Sequence, residues 1–151
     1  MPERRSRCTI ETETPHDWID YLDDAHAAVE EFAAWLKSTA PFVRDHFAGE
    51  YDGLREAAAY GKIIHGEPET VTRIKPLRKR PEMWELRWTI LTKEVRQYHG
   101  EPASDPSYLV ALNLHMKPAR NVAHAIAKVM QDKQIAFAGK RYTSGAAKKW
   151  Q

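Results

Sequence analysis

Residues 77–117 read LRKRPEMWELRWTILTKEVRQYHGEPASDPSYLVALNLHMK, and this stretch decides the fold. Three segments rich in β-branched, aromatic and leucine residues predict strands at residues 83–91, 92–99 and 108–116. The prolines and small polar residues at 100–107 predict a mobile loop between the last two strands. Since short loops favour antiparallel neighbours, the stretch predicts the centre of a mostly antiparallel sheet.

Basic and imidazole side chains punctuate these strands. They are Arg87, Arg96, His99, His115 and Lys117. If neighbouring strands bring them to one face of the sheet, their charges could hold a phosphate group under nucleophilic attack. The alternative is a basic, solvated sheet face without chemistry, and the spacing alone leaves both interpretations open.

Length and composition favour one cytoplasmic domain over residues 1–151. The chain has 151 residues, 42% of them hydrophobic and 29% charged, which predicts a folded protein with loose tails at residues 1–5 and 143–151. Cys8 is the single cysteine, which excludes an internal disulfide and a multi-cysteine zinc site. No apolar run reaches the roughly 18 residues of a membrane span, and the N-terminus lacks the apolar core of a secretory signal.

Charge divides sharply between the two halves of the chain. Residues 1–70 contain 7 Lys and Arg against 15 Asp and Glu, a net charge of −8. Residues 71–151 contain 16 against 6, a net charge of +10. This asymmetry indicates a polyanionic partner for the C-terminal half, although the acidic half could also neutralise the basic sheet internally.

The N-terminal half predicts one strand and two helices. Weak alternation at residues 6–13 predicts an edge strand, and residues 14–17 form a helix-start signal with a capping threonine and a proline. Apolar residues then recur at helical spacing: Trp18, Leu22, Ala25, Val29, Phe32 and Leu36. A second apolar stripe through residues 43–58 predicts a helix that ends at Gly61. The two helices are expected to form a hairpin against the sheet.

The remaining segments complete an α+β domain. Residues 70–77 predict a short strand and residues 78–81 a basic turn. Pro118 opens a C-terminal helix whose predicted apolar face is Val122, Ile126, Val129 and Met130. Residues 134–137 suit either a continuation of that helix or a last strand. The predicted fold is therefore an N-terminal strand, a helical hairpin on a small, mostly antiparallel sheet, and a C-terminal helix.

Several familiar catalytic motifs are missing from the sequence. It contains no phosphate-cradling glycine loop and no G-x-S-x-G nucleophile motif. The seven histidines show no metal-ligand spacing, so neither a metal nor a cofactor is expected.

Short motifs along residues 29–130 resemble a known family. They are Val29-Glu30-Glu31-Phe32 with Trp35-Leu36, Leu54 with Ala59-Tyr60-Gly61, Ile74-Lys75-Pro76-Leu77, Trp84-Glu85-Leu86-Arg87, Val95-Arg96 and residues 109–117. This order of hydrophobic helix, glycine helix end, K-x-L strand, x-E-L-R strand, arginine strand and apolar strand ending in lysine resembles the RelE/ParE superfamily of bacterial toxins. The likeness is greatest to its HigB-like, phage-associated branch. The strongest piece is WELR followed nine residues later by Arg96.

The resemblance implies a RelE-like fold and the toxin of a type II toxin–antitoxin system, a metal-independent endoribonuclease that cuts mRNA on the ribosome. The ribose 2′-hydroxyl attacks the adjacent phosphate, so the protein supplies a base, positive charge and an acid. The implied catalytic residues are Arg87, Arg96 and Lys117 at the phosphate, with His99 or His115 as proton carrier. The implied RNA-binding residues are Arg78, Lys79, Arg80, Arg120, Lys140, Arg141 and Tyr142. Expected partners are ribosome-bound mRNA and a cognate antitoxin, a small helix-turn-helix protein, with no membrane involvement.

Other interpretations stay open at this point. A RelE-like fold could act without nuclease activity, as an inhibitor of gyrase or another host protein, or the +10 half could form a plain nucleic-acid-binding module. Individual residues also have structural alternatives: Arg87 could pair with a helix carboxylate, and His115 could be a buried strand histidine.

Overall fold

The structure is a computed structural model, which describes residues 5–21, 34, 37, 41–63, 72–77, 80–90, 93–116 and 123–150. Within these residues the chain forms a short 3₁₀ helix at Arg7–Thr9, two α-helices and five strands. The helices are α1 (Pro41–Ala59) and α2 (His124–Ala147). The strands are β1 (Asp17–Asp20), β2 (Thr72–Leu77), β3 (Arg80–Ile90), β4 (Lys93–Gly100) and β5 (Tyr108–Met116).

The strands form one mixed sheet in the order β1-β5-β4-β3-β2. The three pairs from β2 to β5 are antiparallel, whereas β1 pairs in parallel with β5. The predicted α+β class, the mostly antiparallel sheet and the C-terminal helix are therefore confirmed. The predicted basic turn at 78–81 is wrong in its second half, because Arg80 and Pro81 already belong to β3.

The N-terminal segment differs from its prediction. Where the sequence predicts a strand at 6–13, the chain forms the 3₁₀ helix, capped by the Ser6 hydroxyl, which accepts from the backbone N–H of Cys8. Where it predicts a helix start, Asp17–Asp20 forms β1, because pairing with β5 and the bond from Trp18 Nε1 to the Arg55 carbonyl at 2.8 Å override the local capping signal. Most of the predicted first helix lies outside the described residues, within which Ala34 and Lys37 are helical.

Helix α1 covers one face of the sheet, which we call the α1 face. The core on this face is apolar and includes Ala58, Ile63, Ile74, Trp84, Leu86 and Leu109. The helix ends as predicted at Gly61, whose φ of 72° closes the turn. The N–H groups of Lys62 and Gly61 donate to the carbonyls of Ala57 and Ala58, which satisfies the last free carbonyls of the helix.

Helix α2 covers the opposite face, which we call the α2 face. Its core includes Leu77, Met83, Tyr98, Val110, Leu112 and Ala138. The predicted apolar face of this helix is wrong: Ile126, Val129 and Met130 are about half exposed, and Val122 lies outside the described residues. The helix instead buries small residues, so that Gly139 packs closely against the Arg80 side chain.

The chain end and the 101–107 loop make secondary structure and contacts that the sequence analysis does not predict. Helix α2 includes residues 143–147, and Trp150 packs on Tyr142 at 5.2 Å, which replaces the predicted loose tail. The guanidinium of Arg7 donates to the carbonyls of Pro102, Asp105 and Tyr108 and so fixes the loop to the N-terminal segment. Neither described helix has the length and apolarity required to cross a membrane.

Candidate active site

The central strands align three predicted catalytic residues in one row. Arg87 of β3 lies opposite Arg96 of β4, and Arg96 lies opposite His115 of β5. Directly opposed residues of antiparallel strands share a sheet face, and strands are about 4.8 Å apart, so the row spans about 10 Å. The structure thus brings Arg87, Arg96 and His115 together on the α2 face.

Two glutamates lie beside this row on the same face of the sheet. Glu85 and Glu94 precede Arg87 and Arg96 by two residues, and the two-residue period of a strand places each pair on one face. The Arg87 guanidinium lies 2.7 Å from Glu85 and 3.2 Å from Glu94. The Arg96 guanidinium lies 3.1 Å from Glu94 and 3.9 Å from Glu85. Two cations and two carboxylates make this cluster neutral overall.

Burial separates the four charged side chains into two layers. Glu85 and Arg96 form the lower layer, with side chains 0% and 7% exposed. Arg87 and Glu94 form the upper layer, each 24% exposed. Among the described residues Arg87 therefore pairs with strand carboxylates, and it is the more exposed of the two arginines.

His115 stands beside a buried tyrosine. Its Nε2 lies 3.1 Å from the Tyr98 hydroxyl, and the two rings stack with centroids 5.3 Å apart. Burial, together with the negative charge of Glu85, raises the pKa of Tyr98 well above its usual range, so the hydroxyl stays protonated at neutral pH. Tyr98 thus fixes one edge of the half-buried imidazole.

Helix α2 borders the row through side-chain amides. Gln131 donates to Glu85 at 3.3 Å, and Asn113 of β5 donates to Gln134 at 2.8 Å. The first two turns of the helix, residues 124–130, are largely solvent-exposed. Within the described part of the chain, helix α2 therefore contacts the strands beside the row through the side chains of Gln131 and Gln134.

His99 does not belong to this row. It follows Tyr98 on β4, so its side chain lies on the α1 face, where it is fully buried. Burial lowers its pKa, but the neighbouring Cys8 sulfur and Glu101 carboxylate outweigh burial and raise the pKa of His99 to about 10. Of the two predicted proton carriers, only His115 lies with the arginines.

The predicted RNA-binding residues have varied positions. Arg78, Lys79 and Arg120 lie outside the described residues, and so does Lys117, the predicted catalytic contact to the phosphate. Lys140 is exposed, and Arg80 lies against Gly139. Arg141 is 3% exposed, and its guanidinium donates to the Leu112 carbonyl at 2.6 Å, which attaches α2 to the sheet. The Tyr142 hydroxyl donates to Glu82.

Comparisons of the chain with protein-family models, with curated proteins and with solved structures found no match. The likeness to RelE/ParE toxins therefore rests on the quoted motifs.

The sequence analysis did not identify the two glutamates beside the row. The signal was present, because Glu85-Leu86-Arg87 and Glu94-Val95-Arg96 repeat the same Glu-x-Arg pattern on adjacent strands. In a strand, that pattern places each carboxylate beside its guanidinium. Tyr98, two residues after Arg96, continues the same face and could have been found in the same way.

Proposed function

We propose that this chain is a ribosome-dependent mRNA endonuclease, the cytoplasmic toxin of a type II toxin–antitoxin system with a RelE-like fold. The alignment of Arg87, Arg96 and His115 across three strands carries the proposal. Guanidinium and imidazole groups on one sheet face are the groups that metal-free RNA cleavage requires.

In this mechanism the 2′-hydroxyl oxygen bonds to the adjacent phosphorus and the bond to the 5′ oxygen breaks. Glu94 accepts the proton of the 2′-hydroxyl, since its carboxylate is partly exposed beside Arg87. Arg87 stabilises the crowded phosphorane, and protonated His115 gives a proton to the leaving 5′ oxygen. The products carry a 2′,3′-cyclic phosphate and a 5′-hydroxyl.

Tyr98, Glu85 and Arg96 act through these three groups. The Tyr98 hydroxyl lies 3.1 Å from His115 Nε2 and so fixes the orientation of the imidazole beside the phosphate. Arg96, buried between the glutamates, keeps Glu94 beside Arg87. Because Arg87 already pairs with Glu85 and Glu94, a phosphate must compete with these carboxylates for its guanidinium. The reaction is therefore favoured when the RNA is already held in position for cleavage.

A protein that acts by binding alone is the second candidate. The neutral charge of the Arg87/Arg96/Glu85/Glu94 cluster favours it, because a phosphate meets no net positive charge there. Such a protein would inhibit gyrase or another host protein, or bind nucleic acid through the other cations of its basic half. It would arrest growth without cutting RNA.

Induced expression in a bacterium, combined with mapping of mRNA 5′ ends, tests the proposal. Wild-type protein is expected to arrest growth and to produce new 5′-hydroxyl ends within translated messages. Arg87→Ala and His115→Gln should each reduce cleavage by about 10²–10⁴-fold, the usual contribution of such groups. Lys128→Ala, on an exposed ion pair of α2, is the matched control and should cut like wild type.

Three results separate the candidates. Growth arrest without new RNA ends would reject the nuclease and favour the binding protein. If folded Arg87→Ala cleaves RNA at the wild-type rate, the row of Arg87, Arg96 and His115 is not the active site. Normal growth with soluble, folded wild-type protein would reject the toxin assignment altogether.

A further inference from the structure

A second cluster of polar side chains lies on the α1 face, away from the proposed nuclease site. Cys8 and His99 are each 0% exposed and Glu101 is 7% exposed. The Cys8 sulfur lies 3.7 Å from His99 Nε2 and 4.0 Å from Glu101 Oε2, and these last two atoms are 2.8 Å apart. Three different metal-binding donor atoms therefore converge on one buried point.

We propose that Cys8, His99 and Glu101 form a structural site for one thiophilic divalent cation, Zn²⁺ in the first instance. Sulfur, imidazole nitrogen and carboxylate oxygen are the donors that Zn²⁺ takes in proteins, whereas Mg²⁺ and Ca²⁺ prefer oxygen alone. Sequence spacing could not reveal the set, because 91 residues separate the cysteine from the histidine.

The distances between donor atoms suit a tetrahedral ion. With bonds of about 2.3 Å to sulfur and about 2.0–2.2 Å to nitrogen and oxygen, the donors of such a site lie roughly 3.4–3.6 Å apart. The two distances that involve Cys8, 3.7 Å and 4.0 Å, are slightly longer, and the His99–Glu101 distance of 2.8 Å is shorter, as a hydrogen bond requires. Shifts of about half an ångström would convert the hydrogen-bonded cluster into a coordination shell.

The surroundings of His99 make a purely hydrogen-bonding role for this cluster costly. The Nδ1 of His99 is buried and has no hydrogen-bond partner among the described residues. The contacts to Cys8 and Glu101 are made by the other ring nitrogen, Nε2, so Nδ1 is not a donor of the proposed site and only adds to the cost of burying this imidazole. The core around it is apolar, with Trp18 edge-on to the imidazole at 5.5 Å, so the polar cluster is costly there without a role.

Two hydrogen bonds from the N-terminal segment already orient the Glu101 carboxylate. The N–H of Arg7 donates to Glu101 Oε1 at 2.7 Å, and the Ser6 hydroxyl donates to Glu101 Oε2. Partners of this kind orient metal ligands in known sites. The three side chains leave one position of a tetrahedral ion for a water molecule. A bound ion would displace the proton between His99 and Glu101 and that of the Cys8 thiol, and would join the N-terminal segment to the end of β4.

The test uses tag-free protein, treated with a chelator under reducing conditions and then titrated with Zn²⁺ or Co²⁺. We expect one ion per chain, a higher melting temperature, and a thiolate-to-Co²⁺ charge-transfer band. Because the sequence holds a single cysteine, that band reports Cys8 coordination without any mutant. Cys8→Ser, His99→Gln and Glu101→Gln should each weaken Zn²⁺ affinity by more than the roughly 10–100-fold typical of a lost second-shell partner.

His46→Gln, which removes an exposed histidine of α1, is the control and should bind like wild type. Absence of stoichiometric binding by folded wild-type protein overturns the proposal, as does a Co²⁺ spectrum without the thiolate band. The same holds if folded Cys8→Ser retains wild-type affinity. None of these results depends on RNA cleavage, so the metal site and the nuclease can fail separately.

Discussion

Replacement of Arg96 by alanine distinguishes a structural arginine from a phosphate-binding one. Arg96 is 5% exposed and lies between Glu94 at 3.1 Å and Glu85 at 3.9 Å. Breaking a buried ion pair by removing one partner typically costs about 3–5 kcal/mol. In the variant both glutamates still pair with Arg87, and Glu94 is partly solvated. We therefore expect the free energy of unfolding to fall by about 3 kcal/mol, the lower end of that range.

Urea denaturation at neutral pH measures this loss, with the slope of the transition as a check on two-state behaviour. Lys128→Ala serves as the control, because its pair with Asp132 is exposed, and it should change the free energy of unfolding by less than about 0.5 kcal/mol. A loss below about 1 kcal/mol for Arg96→Ala, with an unchanged slope, would refute the assignment of Arg96 to the supporting layer. Because Arg96→Ala is expected to destabilise the fold, a loss of toxicity in this variant shows a catalytic role only if the protein remains folded.

Two further substitutions test the fold. Gly61→Ala should lower the free energy of unfolding by more than about 3 kcal/mol, because the added methyl would meet the Ile10 carbonyl at 1.8 Å and φ is positive. The control Gly49→Ala lies in open space within α1 and should raise the free energy of unfolding by about 0.5–1 kcal/mol. A small loss for Gly61→Ala in thermal or urea unfolding would refute the close approach of Gly61 to Ile10. Tyr51→Phe should cost about 1–3 kcal/mol, because the Tyr51 hydroxyl donates to buried Gln97 at 2.6 Å. Burial also raises the pKa of Tyr51 to about 12. The wild type therefore keeps that proton in the folded state, and its advantage over Tyr51→Phe should shrink as pH rises from about 10 to 12; a constant advantage would contradict the raised pKa.

The sequence predicted the antiparallel part of the sheet well because its information is local. Strand-forming residues and the Pro-rich segment at 101–107 mark β3, β4 and β5 without reference to the rest of the chain. The same strand periodicity places Arg87 and Arg96 on one face once their strands are in register.

The N-terminal prediction failed because non-local contacts decide that region. β1 has four residues, and its parallel partner β5 lies about 90 residues further along, so a local capping signal at 14–17 carries no information about the pairing. The same limit applies to the Cys8/His99/Glu101 cluster, whose members meet only after the 3₁₀ helix has packed beside the end of β4. Helix α2 packs on the sheet through small residues and Arg141, so a prediction based on large apolar side chains cannot identify its buried face.

Cleavage of mRNA by purified protein in a reconstituted translation reaction is the most direct test of the proposed ribosome-dependent nuclease activity. Ribosomal positioning of the 2′-hydroxyl in line with the phosphate can supply several kcal/mol of the barrier, up to roughly 7–11 in favourable cases. We therefore expect wild-type protein to cut translated mRNA, leaving 5′-hydroxyl ends, and to leave the same naked mRNA intact. Folded Arg87→Ala should cut neither. Equal cleavage of naked and translated mRNA would contradict ribosome dependence, and cleavage of neither by wild-type protein would contradict the nuclease assignment.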